Sequence, residues 1–320
     1  MARLNTKAPA GRPGHDSKFT SFLSSRRFQR KLFIWGGLTP ILIWFVIFMF
    51  LPIIMVFIYS FTNAHMAFSD YKFVGLSQYI KMFTKDPILL IALWNTVKAV
   101  LFIVPGTIVL ATLLAVALNS VAKALREVFT FIYFLPSIIS MVAISLVWQW
   151  LYHQHYGLIN AFLTALGFEA QPFLNSTAQA LFCLCVVEIW SIMGYYAVIL
   201  LAAIRDIDLC LYEAAQIDGA TGAKQFRYIT LPMIQPSLLF VGIMSTISAF
   251  MIFTPVKVLT DGAPGTSTMV LMLHILNRGI KSSDIGYASA LSILLLAIIL
   301  TVSLLQWILS RESKREGRKG

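Results

Sequence analysis

Six long apolar runs constrain this chain more than any other feature: Phe33–Ser60, Leu90–Asn119, Val128–Tyr152, Ala178–Ile204, Met233–Val256 and Gly286–Ser310. Between them they hold two charged residues, Lys98 and Glu188. Each run can cross a hydrocarbon core of about 30 Å at about 1.5 Å per residue. An isolated strand would leave its backbone groups unsatisfied in lipid, so the runs must be helices. The expected fold is an all-α membrane protein with six transmembrane helices. The charged fraction agrees: 12% here, against about 25% in soluble globular proteins. Pro40, Pro52 and Pro105 fall inside runs and are expected to kink or loosen them, and Pro136 sits a turn or two into the third.

The basic residues set the expected orientation. Of 25 Lys and Arg, 18 fall in the two tails and in the second-to-third and fourth-to-fifth connections. Six fall in the other three connections, and Lys98 lies within the second run. The positive-inside rule then places both termini in the cytoplasm. The chain divides into a basic, largely disordered tail over 1–31, a six-span domain over 32–310 and a second basic tail over 311–320. The net charge of +11 follows this sidedness. No basic stripe with interleaved aromatics points to nucleic acid. The run from Leu32 is far longer than the apolar core of a signal peptide, and no small-x-small cleavage site follows it, so it reads as a retained first span. Cys183 and Cys185 within a run and Cys210 beyond it do not build a disulfide framework.

On the opposite side, Leu76, Tyr79, Ile80 and Phe83 recur at helical spacing and predict a short helix along the interface. The LTDGAPGTST stretch stops the fifth span from continuing. Ala288, Ser289, Ala290 and Ser292 suit close packing of the sixth.

The 205–232 connection is the chemically distinctive one. EAAQI (213–217) has high helix propensity and an acidic start, and Asp218-Gly219 breaks it. A second short helix is expected from Thr221 to Thr230, with Phe226 and Ile229 on one face and Pro232 near the start of the fifth span. The product is a helix–turn–helix elbow joined to membrane helices at both ends, a lever by which a partner could move the spans.

EAAQIDGATGAKQFRYITLP resembles the EAA loop of binding-protein-dependent ABC importer permeases, at Glu213, Ala214, Ala215, Asp218, Gly219, Ala220, Phe226, Ile229, Leu231 and Pro232. FVGLSQYIKMFTKDPILLIALWNTV, VLTDGAPGTSTMVLMLHIL and IGYASALSILL resemble the carbohydrate-uptake, maltose-transporter-like branch. One departure lies at Asp208, where that family commonly has proline. The resemblance implies a type I importer permease fold in a bacterial inner membrane and a second permease, the heterodimer partner. It also implies two ABC ATPases that dock on the elbow and carry ATP and Mg, and an extracytoplasmic solute-binding protein. Glu213 would contact the ATPase, Gly219 would supply the bend, and Ala214 and Ala215 would allow close approach.

Candidates for the solute path are Glu188, Trp190, Tyr195 and Asn95. For Glu188 the alternative is a carboxylate paired with a neighbouring helix, and for the aromatics it is packing. Lys98 can snorkel to the interface. His153 and His155 form an HxH without a third ligand nearby, so no metal site is expected. No P-loop occurs, so the chain is expected to bind no cofactor, to lack an ATPase site and to act as a transport subunit. Other readings are an importer for glycerol phosphate, a polyol or an acidic oligosaccharide, an ion-driven secondary carrier, or an intramembrane enzyme. For the last, Glu188 stands without a partner at helical spacing.

Overall fold

In the computed structural model of the protein, residues 26–65 and 71–316 are described; the N-terminal tail expected to be disordered lies almost entirely outside them. The described chain is helical, with two isolated bridges and no strand among the described residues. Among the described residues five helices are long and apolar enough to span a membrane: α1 (Phe33–Tyr59), α3 (Pro87–Ser120), α7 (Ala180–Arg205), the fifth-span helix Gln235–Leu259 and α13, whose spanning part is Ile285–Ser310. A bent pair, α4 (Lys123–Ile138) and α5 (Met141–Leu151), brings the number to six where the pair is taken as one broken span. Between these lie α2 (Ser77–Thr84), α6 (Leu158–Ala165), α8 (Leu209–Ile217), α9 (from Gly222–Gln225) and α12 (Leu271–Leu276).

The third span is not the single helix expected over Val128–Tyr152. It turns by 99° after Ile138, where Ile139 is extended and Ser140 leaves the helical conformation. Pro136 lacks the N–H that would hold the last turn of α4. The fifth span breaks too. It starts afresh at Gln235 as α10 (Gln235–Phe250) and resumes as α11 (Thr254–Leu259). In α1 a π turn at Val46–Phe50 precedes Pro52 and takes up the loosening that proline imposes. α13 runs past Ser310 to Glu316, into the segment read as a tail.

α3 and α7 form the centre. Asp86 caps α3 by accepting from the Ile88 N–H at 3.0 Å, and Pro87 opens it. Its buried residues include Ala92, Thr96, Ala99, Thr107, Ala111 and Ala115, one stripe of small side chains that lets α7 come close. One core cluster joins Ala99, Ile103, Leu184, Val187 and Ala249. A second joins Ala111, Ala115, Tyr196, Leu200, Ile204 and Val241 nearer the elbow. Ala288, Ser289 and Ala290 of α13 are buried as expected. On α2, Leu76, Ile80 and Phe83 are exposed together, whereas Tyr79 turns inward and donates to Ser60 at 2.9 Å.

Candidate functional site

The first helix of the elbow begins at Leu209, four residues before the expected start at Glu213. Asp208 accepts from the Cys210 N–H at 3.0 Å and caps α8, so Glu213 sits mid-helix and not at an N-terminus. The residue that departs from the usual proline thus performs the cap itself. Its backbone hydrogen bond to Cys210 holds the Asp208 carboxyl below the usual aspartate range. α8 ends in a left-handed turn. Gly219 has φ +74°, the Ala220 N–H reaches Ala215 O at 2.8 Å, and the Gly219 N–H reaches Gln216 O at 3.0 Å. This pair of bonds is the Schellman arrangement, which closes a helix where glycine accepts positive φ. An added Cβ at Gly219 meets no atom within 4 Å, so the demand for glycine comes from the backbone alone.

The return arm starts at Gly222, one residue after the expected Thr221, which stands at its N-cap. It changes to a π turn over Phe226–Thr230 and runs on through Leu231–Met233. The Tyr212 hydroxyl meets the Thr230 hydroxyl at 2.9 Å, joining α8 to α9. Ile229 and Tyr212 pack at the root, against the core cluster that holds Ile204, Ile207 and Ile234, and Phe226 is half-buried. The outer surface is different. Glu213, Ala214, Asp218, Leu231 and Pro232 are exposed, Ala215 and Ala220 are half-buried, and Ile217, Leu209 and Tyr228 are 88%, 71% and 72% exposed. Glu213 forms no ion pair among the described residues.

The four path candidates do not converge; no hydrogen bond or ring contact joins any two of them. Glu188 is buried between α7 and α10 and accepts from Ser248 at 3.3 Å, the arrangement of a carboxylate paired with a neighbouring helix. Asn95 is also buried. Its amide donates to the carbonyls of Thr266 and Met269, each at 3.0 Å, and so holds the 266–269 loop. Trp190 is partly exposed, edge-on to Trp148, and lines an apolar cavity of about 580 Å³ with Phe102, Pro105 and Met193. Tyr195 is partly exposed beside Phe134.

The profile described as the binding-protein-dependent transport system inner membrane component matches residues 107–315, a stretch that includes the whole elbow. The chain belongs to this family. It is 33% identical over 280 residues to the arabinooligosaccharides transport system permease protein AraP of Bacillus subtilis, covering 87% of this chain and 88% of that one. It is 34% identical to the sulfoquinovosyl glycerol transport system permease protein SmoG of Agrobacterium fabrum, over 72% and 75% of the two chains. Its fold matches a chain of the bacterial alginate ABC transporter solved in complex with an alginate pentasaccharide-bound periplasmic protein. That match has a TM-score of 0.79 and 25% identity, over 91% of this chain and 98% of the other. The chain is a permease subunit of an ABC importer with the type I importer permease fold.

The permease also carries a buried hub that sequence reasoning missed. Asp86 accepts from the Tyr287 hydroxyl at 2.6 Å, pairs with His274 Nε2 at 2.7 Å and meets Arg278 Nη2 at 3.4 Å. Burial raises its carboxyl, but the hydrogen bonds from Tyr287 and His274 outweigh it and leave the group below the usual range. Lys81 pairs with Asp284 at 2.7 Å and lies over the Tyr287 ring. Thr96 accepts from the Leu271 N–H at 2.9 Å. The partners stand 188 to 201 residues from Asp86; an aspartate before Pro87 signals only the helix cap.

Proposed function

We propose that this chain is one of two permease subunits of an ATP-driven importer, forming half of the pathway for a sugar or oligosaccharide brought by an extracytoplasmic binding protein. Both termini and the elbow face the cytoplasm, and ATP and Mg bind on two ATPase subunits that dock there. The observation that carries this is the elbow. It is fixed at its root by packing and by the Tyr212–Thr230 bond, yet its outer surface keeps Ile217, Leu209 and Tyr228 in solvent. Apolar side chains displayed on a rigid turn are a surface for another protein. The names of the similar permeases support a carbohydrate.

Lys98, Lys257, Arg278 and Lys281 are cations that would suit an acidic solute. Each is already engaged. Lys257 and Lys281 meet Asp261, Arg278 meets Asp86, and Lys98 lies over the Trp94 ring. Two lysines share the single Asp261 carboxylate and Lys98 meets only a ring, so positive charge remains here for an acidic sugar as well.

The test is isolation of the chain from its own membranes in gentle detergent, with mass spectrometry of what accompanies it, followed by uptake in vesicles. Co-purification of an ATPase and a second permease, with ATP-dependent uptake of a sugar or oligosaccharide, is the expected result. Recovery of the chain alone, or uptake driven by an ion gradient without ATP, overturns the reading.

A further inference from the structure

A trough opens between α4 and α7 on the elbow side. The two helices touch at Gly194, where an added Cβ would overlap the carbonyl of Tyr133. The rings of Phe134 and Tyr195, 6.3 Å apart, lie at that end. Towards the elbow the helices flank a cavity of about 440 Å³. Its walls are two helical stripes. Glu127, Phe131 and Phe134 follow one another at i, i+4 and i+7 on α4, and Val198, Leu201 and Arg205 at i, i+3 and i+7 on α7.

Both stripes carry the same gradient, apolar where the helices meet and charged seven residues away, about 10 Å along each axis. Arg205 and Glu127 form no ion pair among the described residues. Arg126, also at the charged end, is fixed in place. Its Nε donates to Leu118 O at 2.9 Å, and its Nη2 to Val121 O at 2.9 Å and Asn119 O at 3.2 Å. The bonds close the end of α3 and leave the guanidinium's charge uncompensated by any carboxylate.

Two cations and a carboxylate at the mouth of an apolar trough match one ligand in order. A free anion would leave the trough unused and would meet Glu127 unfavourably. A phosphodiester with an ammonium on one side and acyl chains on the other uses every wall. We propose that this trough seats a phospholipid with a primary-amine headgroup, phosphatidylethanolamine. Its phosphate lies at Arg205 and Arg126, its ammonium at Glu127, and one acyl chain along Phe131, Leu201 and Val198. Arg205 is the last residue of α7, so the lipid sits at the root of the elbow. The proposal does not depend on which solute is carried.

The test uses the chain together with the subunits that accompany it, in nanodiscs of phosphatidylethanolamine and phosphatidylglycerol in equal amounts, with retained lipid read by native mass spectrometry. Wild type is expected to hold one phosphatidylethanolamine per copy of this chain through a wash with inorganic phosphate. Glu127→Gln is expected to lower the preference for phosphatidylethanolamine over phosphatidylglycerol by about fivefold, the worth of one exposed ion pair. Arg205→Gln is expected to lower retention of both lipids. Both side chains are exposed, so the fold is kept, which an unchanged melting temperature checks. An unchanged lipid ratio in Glu127→Gln, displacement by phosphate, or no retained lipid overturns the proposal. So does a cross-link from Val198→Cys to the second permease, which would make the trough a subunit interface.

Discussion

At the far end of α3 from the elbow, Asp86 gathers Tyr287, His274 and Arg278 from three later segments. Asn95 and Thr96 tie the 266–271 backbone down beside it. At the elbow end, α8 and α9 meet through Tyr212 and Thr230, and the outer apolar side chains stay in solvent. The first region pairs its charged groups within the chain and leaves only Ser267 Oγ and Asn277 Oδ1 buried without a partner among the described residues, so little of its bonding depends on another subunit. The second ends its helices correctly but leaves its display incomplete, which is the condition of a part made to fit another part. Substitutions should therefore act differently at the two ends: on stability at the first, on coupling at the second.

Asp86→Ala gives the largest effect. It strands a buried histidine and a tyrosine hydroxyl and takes the carboxylate from Arg278, a change that typically costs about 3–5 kcal/mol. It should show as a large fall in the melting temperature of the purified protein. The same hub sets an acid limit. Because the folded Asp86 titrates below its ordinary 3.8, its contribution is present at neutral pH and lost as pH falls through that lowered value. Melting temperatures measured from pH 7 down to about 3 should drop in wild type and less so in Asp86→Asn. An equal drop would move the acid limit to another group.

Asn95→Ala removes two buried hydrogen bonds and should cost about 1–3 kcal/mol of stability, with uptake retained once the protein is cooled. If uptake fell while stability held, Asn95 would return to the solute path. Gly219→Val forces a β-branched residue into positive φ at about 1–2 kcal/mol locally. Uptake should nevertheless be lost, with normal amounts of protein in the membrane by immunoblot. Unchanged uptake would separate the elbow from coupling. Tyr212→Phe, about 0.5–1.5 kcal/mol, is the mildest. It should lower the ratio of uptake to ATP hydrolysis, with only a small fall in the melting temperature.

What the sequence revealed follows the range of the interactions. Spans are set by local hydropathy, and the turn at Asp218-Gly219 by a local backbone demand, so both were legible. The start of α8 was missed because Glu213 drew attention as an acidic helix start, while Asp208 was read only as a missing proline. The break after Ile138 was half legible: Pro136 announced loosening but not a 99° turn. Asp86 could not be found at all, since nothing local distinguishes a cap from a cap that also binds residues some 190 positions later. Asn95 and Glu188 were seen as polar groups in apolar helices, but the side they face depends on packing between helices, which hydropathy does not encode.

The break in the third span has a consequence of its own. The 16 residues of α4 and the 11 of α5 rise about 24 Å and 16 Å, so neither crosses a 30 Å core unaided. Set at 99°, at most one of them can lie along the membrane normal. Ile139 and Ser140 are exposed between them, Ile139 extended and Ser140 O bonded to the Ile144 N–H, and hydrocarbon offers the remaining peptide groups of the joint nothing to bond. Wherever that joint lies in the bilayer, its surroundings are water or another polypeptide, and it reports, as a tide mark does, where the lipid stops.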